Sequence, residues 1–320
     1  MINGIEKHRV IALEEHYFDP EIVSHYSPLE SQPAMRATLE DLDERRLAAM
    51  DAAGIDMQVL SHGAPGTHRM DASLAVGLAA RANDRLHEAV LRHPDRFAAF
   101  ATLPAIDPGK AADELERTVV TLGFKGAMIH GLTDGLFIDD RRFWPIFERA
   151  EALDVPIYLH PSIPHPSVIE VYYKDYVQAF PAILNAGWGF TVETATQGIR
   201  MVLSGIFDAY PNLKIILGHL GESLPFSLWR IDQALSRKGN RESSFRDVFR
   251  EHFYVTTSGN FSNPAFQCTV AELGIDRVLF SVDWPYIDNA SGVKWAENLP
   301  LGMEDRARLL SGNARQLLKI

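Results

Sequence analysis

The chain has 320 residues, 46% of them hydrophobic, and a formal net charge of −11 at pH 7. That length allows one large core or two smaller ones. The acidic balance, with no basic block, excludes a phosphate-tracking surface and hence a nucleic-acid partner, and it means that an anionic substrate needs a focused positive site, such as a metal plus an arginine.

The first apolar run, Val10 to Tyr17, reads as a strand. Glu14 and His16 lie two residues apart in it, so both side chains project to one side near the strand's C-terminal end. An amphipathic stretch follows, Asp41 to Ala53, with Leu42, Leu47, Ala48 and Met50 on its apolar side. The second strand is Met57 to Ser61 and the next helix Asp71 to His93. Phe97 to Leu103 is the third strand, Pro108 to Leu122 its helix, Phe124 to Ile129 the fourth strand and Asp139 to Leu153 its helix. The fifth strand is Pro156 to His160, and an insertion of about 161–210 separates it from the sixth, Lys214 to His219. The helix Pro225 to Ser236, the seventh strand Phe253 to Thr257, the helix Asn263 to Leu273, the eighth strand Val278 to Asp283 and the helix Met303 to Leu318 complete the series.

These strands are nearly continuously apolar, as parallel strands covered on both faces must be. Eight of them alternating with helices predict an α/β fold of the (β/α)8 TIM-barrel type. A doubly wound open sheet is the alternative, weakened because no Gly-rich phosphate loop follows the first strand. The reading is one domain, 1–320, with the insertion as its one elaboration. Pro161 to Asp175, rich in Pro, Tyr and Ser, is a lid or an oligomer contact.

The lone cysteine, Cys268, excludes an internal disulfide and fits a reducing compartment. Met1 to Arg9 holds no apolar leader core, and no run nears the ~18 apolar residues of a membrane span. The expectation is a cytoplasmic protein with no membrane partner.

Barrel chemistry sits where strands end at the C-terminal face. The first strand brings Glu14 and His16 there, the fifth His160, the sixth His219 and the eighth Asp283. Taken singly, each histidine reads as a hydrogen-bonded structural residue and Asp283 as a helix N-cap. Converging on one mouth, they predict a site for one divalent metal ion, zinc or manganese, with open positions for water or substrate and no organic cofactor.

The chain resembles the amidohydrolase superfamily, in its aromatic-acid decarboxylase branch. The resemblance spans nearly the whole sequence and rests on named runs. They are Ala12-Leu13-Glu14-Glu15-His16, Gly123-Phe124-Lys125-Gly126-Ala127, Tyr158-Leu159-His160-Pro161, Glu193-Thr194-Ala195 and Ser204-Gly205-Ile206-Phe207-Asp208. Leu217-Gly218-His219-Leu220-Gly221-Glu222, Leu228-Trp229-Arg230-Ile231-Asp232 and Ser281-Val282-Asp283-Trp284-Pro285 extend it. Hydrolytic members begin with His-x-His; Glu14 in the first position is the substitution associated with the decarboxylases.

The resemblance implies a metal-dependent, non-oxidative decarboxylase of a hydroxybenzoate-type aromatic acid, a reaction that can also run in reverse as a carboxylation. It implies Glu14, His16, His160 and Asp283 as metal ligands and a small aromatic carboxylic acid as substrate. His219 with Glu222 manages the substrate hydroxyl, Asp283 supplies the ring-carbon proton, and Arg230 contacts the substrate anion. Relatives form homo-oligomers, dimers and tetramers. A strand-four lysine bridges two metals in binuclear members; Lys125 lies early in its strand and reads as structural, which leaves one metal.

His62, His130 and Tyr286 depart from the family pattern near the mouth. They are either contacts to a ring substituent or rim residues. Tyr17, Phe18, Trp188, Trp284 and Tyr286 could form a flat aromatic pocket, with Trp188 read as core. Two competing functions remain: a metal-dependent hydrolase of a lactone, ester or amide, and a metal-binding protein without turnover.

Overall fold

A computed structural model of the chain describes residues 8–26, 32–236 and 244–320. The N-terminal stretch read for a leader falls, through residue 7, outside them. The strands are β1 (Ile11–Tyr17), β2 (Met57–His62), β3 (Phe97–Ala99, resuming as Ala101–Thr102), β4 (Ala127–His130), β5 (Ile157–His160), β6 (Ile215–Leu217), β7 (Phe253–Thr256) and β8 (Val278–Leu279). All neighbouring pairs are parallel and follow chain order. Within β3, Phe100 N–H donates to Leu60 O at 2.9 Å and Ala101 N–H to Gly126 O at 2.9 Å, so one strand pairs with β2 and then with β4. Past β8, His16 N–H donates to Trp284 O at 2.8 Å and closes the ring. The fold is a (β/α)8 barrel.

Alternation sorts the strand residues into two layers. Ile11, Leu13, Met57, Val59, Ala98, Phe100, Met128, Tyr158, Ile216 and Leu279 fill the barrel interior. Ala314, Leu317 and Leu318 of the C-terminal helix Asn313–Leu318 join that cluster. Their strand neighbours, such as Ala127, Ile129, Ile157, Leu159, Ile215 and Leu217, pack outward against the helices.

Several boundaries depart from expectation. The fourth strand starts at Ala127, because Gly126 has φ +137° and a Cβ there would lie 2.2 Å from Pro156 O. The sixth ends at Leu217 and the eighth at Leu279, since the backbone turns left-handed at His219 (φ 51°) and Asp283 (φ 76°). Met303 to Leu318 is two helical pieces joined by a widened turn at Arg308–Gly312. Helices outside the expected series include Pro33–Glu40, Gly189–Ser204, Phe245–His252 and Asn289–Asn298. In Phe245–His252 a signal was present: Phe245, Val248, Phe249 and His252 are buried at helical spacing.

The insertion forms short turns and then the long helix Gly189–Ser204. Val171, Tyr172, Tyr176, Phe180 and Trp188 stand exposed along it; Trp188, 52% exposed, is not core, because it sits at the mouth of that helix rather than beneath it. Among the described residues no helix is long and apolar enough to cross a membrane.

Arg46, from the helix Glu44–Ala53, is fully buried under the closure. It donates to His16 O at 2.6 Å and to Gln58 Oε1 at 3.1 Å, and its guanidinium lies 4.2 Å above the Trp284 ring. Burial lowers it to about 9, against the pull of Glu15 and Asp41. Arg46→Met is expected to leave the buried His16 O and Gln58 Oε1 without their donor and to lower unfolding free energy by about 3 kcal/mol, read from urea denaturation.

Candidate active site

The bend in β1 sets the site. Its pairing with β2 shifts register between Ala12 and Glu15. Before the shift Ile11 and Leu13 point into the barrel; after it Tyr17 packs outward, so Glu14 and His16 take the inward phase. On the other strands inward alternation brings up Ser61, His130, Tyr158 and His160, Thr256, and Ser281 followed by Asp283.

Glu14 Oε1 lies 3.3 Å from His160 Nε2, 4.0 Å from His16 Nε2 and 4.0 Å from His219 Nε2. Asp283 Oδ1 is 3.4 Å from His16 Nε2, and Asp283 Oδ2 is 3.9 Å from His219 Nε2. Glu14, His16 and His160 offer donor atoms within 4.8 Å of one another.

Each group is held from behind. Tyr158 Oη donates a short hydrogen bond to Glu14 Oε2 and meets Thr256 Oγ1 at 2.9 Å. Gly218 makes room for this, since a Cβ there would come 2.9 Å from Glu14 Oε2. His16 Nδ1 meets Ser61 Oγ at 3.3 Å, and His160 Nδ1–H donates to Pro161 O at 2.7 Å, so both rings turn Nε2 inward. His219 Nδ1 pairs with Glu222 Oε1 at 2.7 Å.

These residues pass a test of fit to a divalent ion. Glu14 Oε1 and His16 Nε2 are buried with no hydrogen-bond partner, which is costly for a carboxylate and an imidazole unless a cation satisfies them. The donor set, oxygen and nitrogen without sulfur, suits zinc or manganese.

Electrostatics follow from crowding. Burial raises the Glu14 carboxyl against the pull of His219. Burial alone would lower His219, but Glu222 and Glu14 outweigh it and hold the imidazole well above its usual range. Asp283 is lowered: burial alone would raise it, but the facing imidazoles of His16 and His219 outweigh that. Asp283 and His219 keep 18% and 22% of their side chains exposed while Glu14 and His16 keep none, so a ligand reaches the cluster over Asp283 and His219.

The remaining sequence-read residues divide. Tyr286 is near, its ring 5.7 Å from that of His16. His130 stands behind the cluster: its Nδ1 lies 3.1 Å from His160 Nδ1 and its Nε2–H reaches His62 O at 2.9 Å. Burial and the neighbouring His160 hold it well below its usual range, so it is a neutral support for His160 rather than a rim group.

His62 shares the outward phase of Leu60 and stacks on Phe18 at 5.6 Å. Its Nδ1–H donates to Gly63 O at 2.7 Å, and burial lowers it to about 4; it does not join the cluster. Arg230 is also elsewhere. It is exposed on the helix Leu224–Leu235, whose Leu224, Pro225 and Leu228 face the barrel instead. Trp284 is buried beneath Arg46. Lys125 precedes β4, about 16 Å along the strand from His130 at ~3.3 Å per residue.

Tyr158, Thr256, Ser61 and Glu15 were not read as site residues. Tyr158 carried a usable signal, since it stands two residues before His160 on one strand, the spacing that paired Glu14 with His16.

The family model described as amidohydrolase matches residues 15–320. The chain is 41% identical to the gamma-resorcylate decarboxylase of Polaromonas sp. strain JS666, over 97% of this chain and 98% of that one. It is 40% identical to the gamma-resorcylate decarboxylase of Rhizobium radiobacter at the same coverage. Among solved structures it is similar to the Polaromonas dihydroxybenzoic acid decarboxylase with bound manganese and 2-nitroresorcinol. That match has a TM-score of 0.90 and 41% identity, covering 98% of this chain and 97% of that one. It is also similar to 5-carboxyvanillate decarboxylase from Sphingomonas paucimobilis, with a TM-score of 0.91 and 34% identity, covering 98% and 100%.

Proposed function

We propose that this chain, which belongs to the amidohydrolase family, is a metal-dependent, non-oxidative carboxy-lyase acting on a hydroxybenzoate. The observation that carries this reading is Glu14. Where hydrolytic relatives place a histidine, this chain has a buried carboxylate oxygen facing three imidazole nitrogens, with Asp283 at the open side.

Glu14, His16, His160 and Asp283 are assigned as the residues that would hold one manganese or zinc ion. When bound, the ion supplies a Lewis acid for the phenol and carboxylate oxygens of the substrate. The proton chemistry belongs to the side chains.

Direct loss of CO2 would leave an aryl carbanion. A hydroxyl ortho to the carboxylate offers a lower path. Asp283 takes the hydroxyl proton as substrate seats, and electron density shifts to the ring carbon bearing the carboxylate. Asp283 then delivers that proton to this carbon. The carbon–carbon bond breaks, its electron pair restores the aromatic ring, and CO2 leaves. His219 Nε2 returns a proton to the phenolate oxygen and is recharged from solvent, while its Nδ1–H stays on Glu222. Net, one proton replaces the carboxylate.

Tyr286 supplies a flat wall beside His16, and His130 holds the orientation of His160 through Nδ1. Neither His62 nor Arg230 has a part in this scheme.

Three further readings go with it. The chain is one domain with the insertion at about 161–210 as an elaboration, supported by a core cluster running from Val10 to Leu310. It is a homo-oligomer, dimer or tetramer, supported by Phe226, 85% exposed, Trp229 and the aromatic side chains of the insertion. It works in the cytoplasm, in keeping with a single free cysteine.

The test is turnover. Manganese-loaded protein is incubated with a panel of mono- and dihydroxybenzoates, and CO2 and phenol are measured; both are expected in equal amounts. Cleavage of esters or lactones with no CO2 from any acid would replace this reading with the hydrolase.

A further inference from the structure

Glu15 lies between two residues of the cluster yet reaches none of its donors. It is fully buried, and burial raises it to about 7 against the amides that it accepts. Its oxygens go to the far side of the barrel closure. Oε1 accepts from Val282 N–H at 2.9 Å and Ser281 Oγ–H at 3.2 Å. Oε2 accepts from Trp284 N–H at 3.2 Å and from the Gln58 side-chain amide Nε2–H at 3.4 Å.

Val282 and Trp284 flank Asp283. One carboxylate therefore holds the amides on both sides of the residue whose φ is +76°. A left-handed conformation costs a residue with a Cβ ~1–2 kcal/mol, so something must hold it. Asp283 supplies little itself: its carbonyl accepts from Ile287 N–H at 3.1 Å, downstream of the bend. The clamp also ties strand to strand. Glu15 belongs to β1, the strand of Glu14 and His16, and Asp283 follows β8.

We propose that Glu15 is a positioning residue: by gripping the two amides that flank Asp283, it fixes the Asp283 carboxylate relative to Glu14 and His16. This rests on the reading of Asp283 as part of the metal-binding set.

The test uses the full chain and Mn2+ as probe, with no substrate. Glu15→Gln keeps the shape but turns an amide nitrogen toward donors, Trp284 N–H and Gln58 Nε2 or Val282 N–H and Ser281 Oγ. A second-layer loss of this kind typically weakens metal binding 10–100-fold. Mn2+ dissociation constants are measured by calorimetry for the wild type, Glu15→Gln, Asp283→Asn and the double variant. The expected result is about tenfold weaker binding for Glu15→Gln alone and no further weakening when it is added to Asp283→Asn. A crystal structure of Glu15→Gln is expected to show Asp283 out of the left-handed region and Oδ1 withdrawn from His16 Nε2.

Wild-type Mn2+ affinity in Glu15→Gln, additive losses in the double variant, or an Asp283 that keeps its φ and its contact would each overturn the proposal. If Asp283→Asn alone binds Mn2+ like wild type, the ligand reading fails, and the crystal structure decides the positioning role by itself. Should Glu15→Gln not fold, Glu15→Asp takes its place. It keeps the charge but falls one methylene short, so a charge-compensating role is rescued by it and a positioning role is not.

Discussion

Asp283→Asn is expected to lower kcat at least about a thousandfold while the protein stays folded. General acid–base groups commonly contribute ~100- to 10,000-fold, and here one carboxyl both takes and gives the transferred proton. Asparagine matches the shape but cannot carry that proton. The fold has little at stake in this side chain, which keeps 18% of its surface exposed and faces imidazoles rather than the helix layer. The backbone bend is held by Glu15 through the flanking amides, and those bonds survive the substitution. Steady-state decarboxylation, a thermal melt and metal content measured on one preparation separate the effects. Near-normal turnover in a folded, metal-loaded variant would mean that the ring proton comes from another group.

The pairing of Glu14 with His16 was legible because it needs only strand alternation, and the structure brings the two together. Their direction was not legible. A regular β1 with Ile11 and Leu13 inward would turn Glu14 outward, and the register shift reverses the phase. The same parity explains His62. β2 runs inward at Met57 and Val59, so Ser61 reaches His16 while His62 turns to Phe18. The last polar residue of a strand therefore reaches the mouth only when it shares the inward parity. Arg230 lies on the exposed side of its helix, apart from the cluster: a motif match fixes a position on a helix but not which face the helix shows. The eight-strand order came from apolar runs and held because parallel strands covered on both faces leave that mark.

Backbone strain was the least visible layer. His219, Leu220, Glu222 and Ser223 all have positive φ, and so does Asp283. Nothing in Leu217-Gly218-His219-Leu220-Gly221-Glu222 announces a left-handed run. Yet that run lets a three-residue separation bring Glu222 Oε1 to His219 Nδ1 and leaves Nε2 free to face the cluster. Such conformations cost ~1–3 kcal/mol each and persist where the surroundings over-determine them. Around Asp283 the surroundings are identifiable: Glu15 on its amides, and Arg46 over the Trp284 ring that follows. A buried acid and a buried base thus hold the strained turn that carries the most exposed carboxylate of the site.

Glu14→Gln is the second large effect, and it acts on the metal rather than on the proton. Glu14 Oε2 is taken by Tyr158, so Oε1 alone faces His160, His16 and His219. A glutamine can keep the Tyr158 contact through its carbonyl oxygen. Its NH2 then faces His160 Nε2, which is free to accept because Nδ1–H donates to Pro161 O. The amide would close that lone pair with a hydrogen bond and remove the carboxylate oxygen that lies wholly within the donor cluster. Removing one partner from a buried charge pair costs ~3–5 kcal/mol, which corresponds to Mn2+ binding weakened on the order of a thousandfold. Metal analysis after dialysis is expected to find the variant nearly empty, with turnover recovering only in part at millimolar Mn2+. A Glu14→Gln protein that retains stoichiometric metal through dialysis would show that the carboxylate is not a ligand. The centre would then have to be rebuilt on His16, His160 and Asp283.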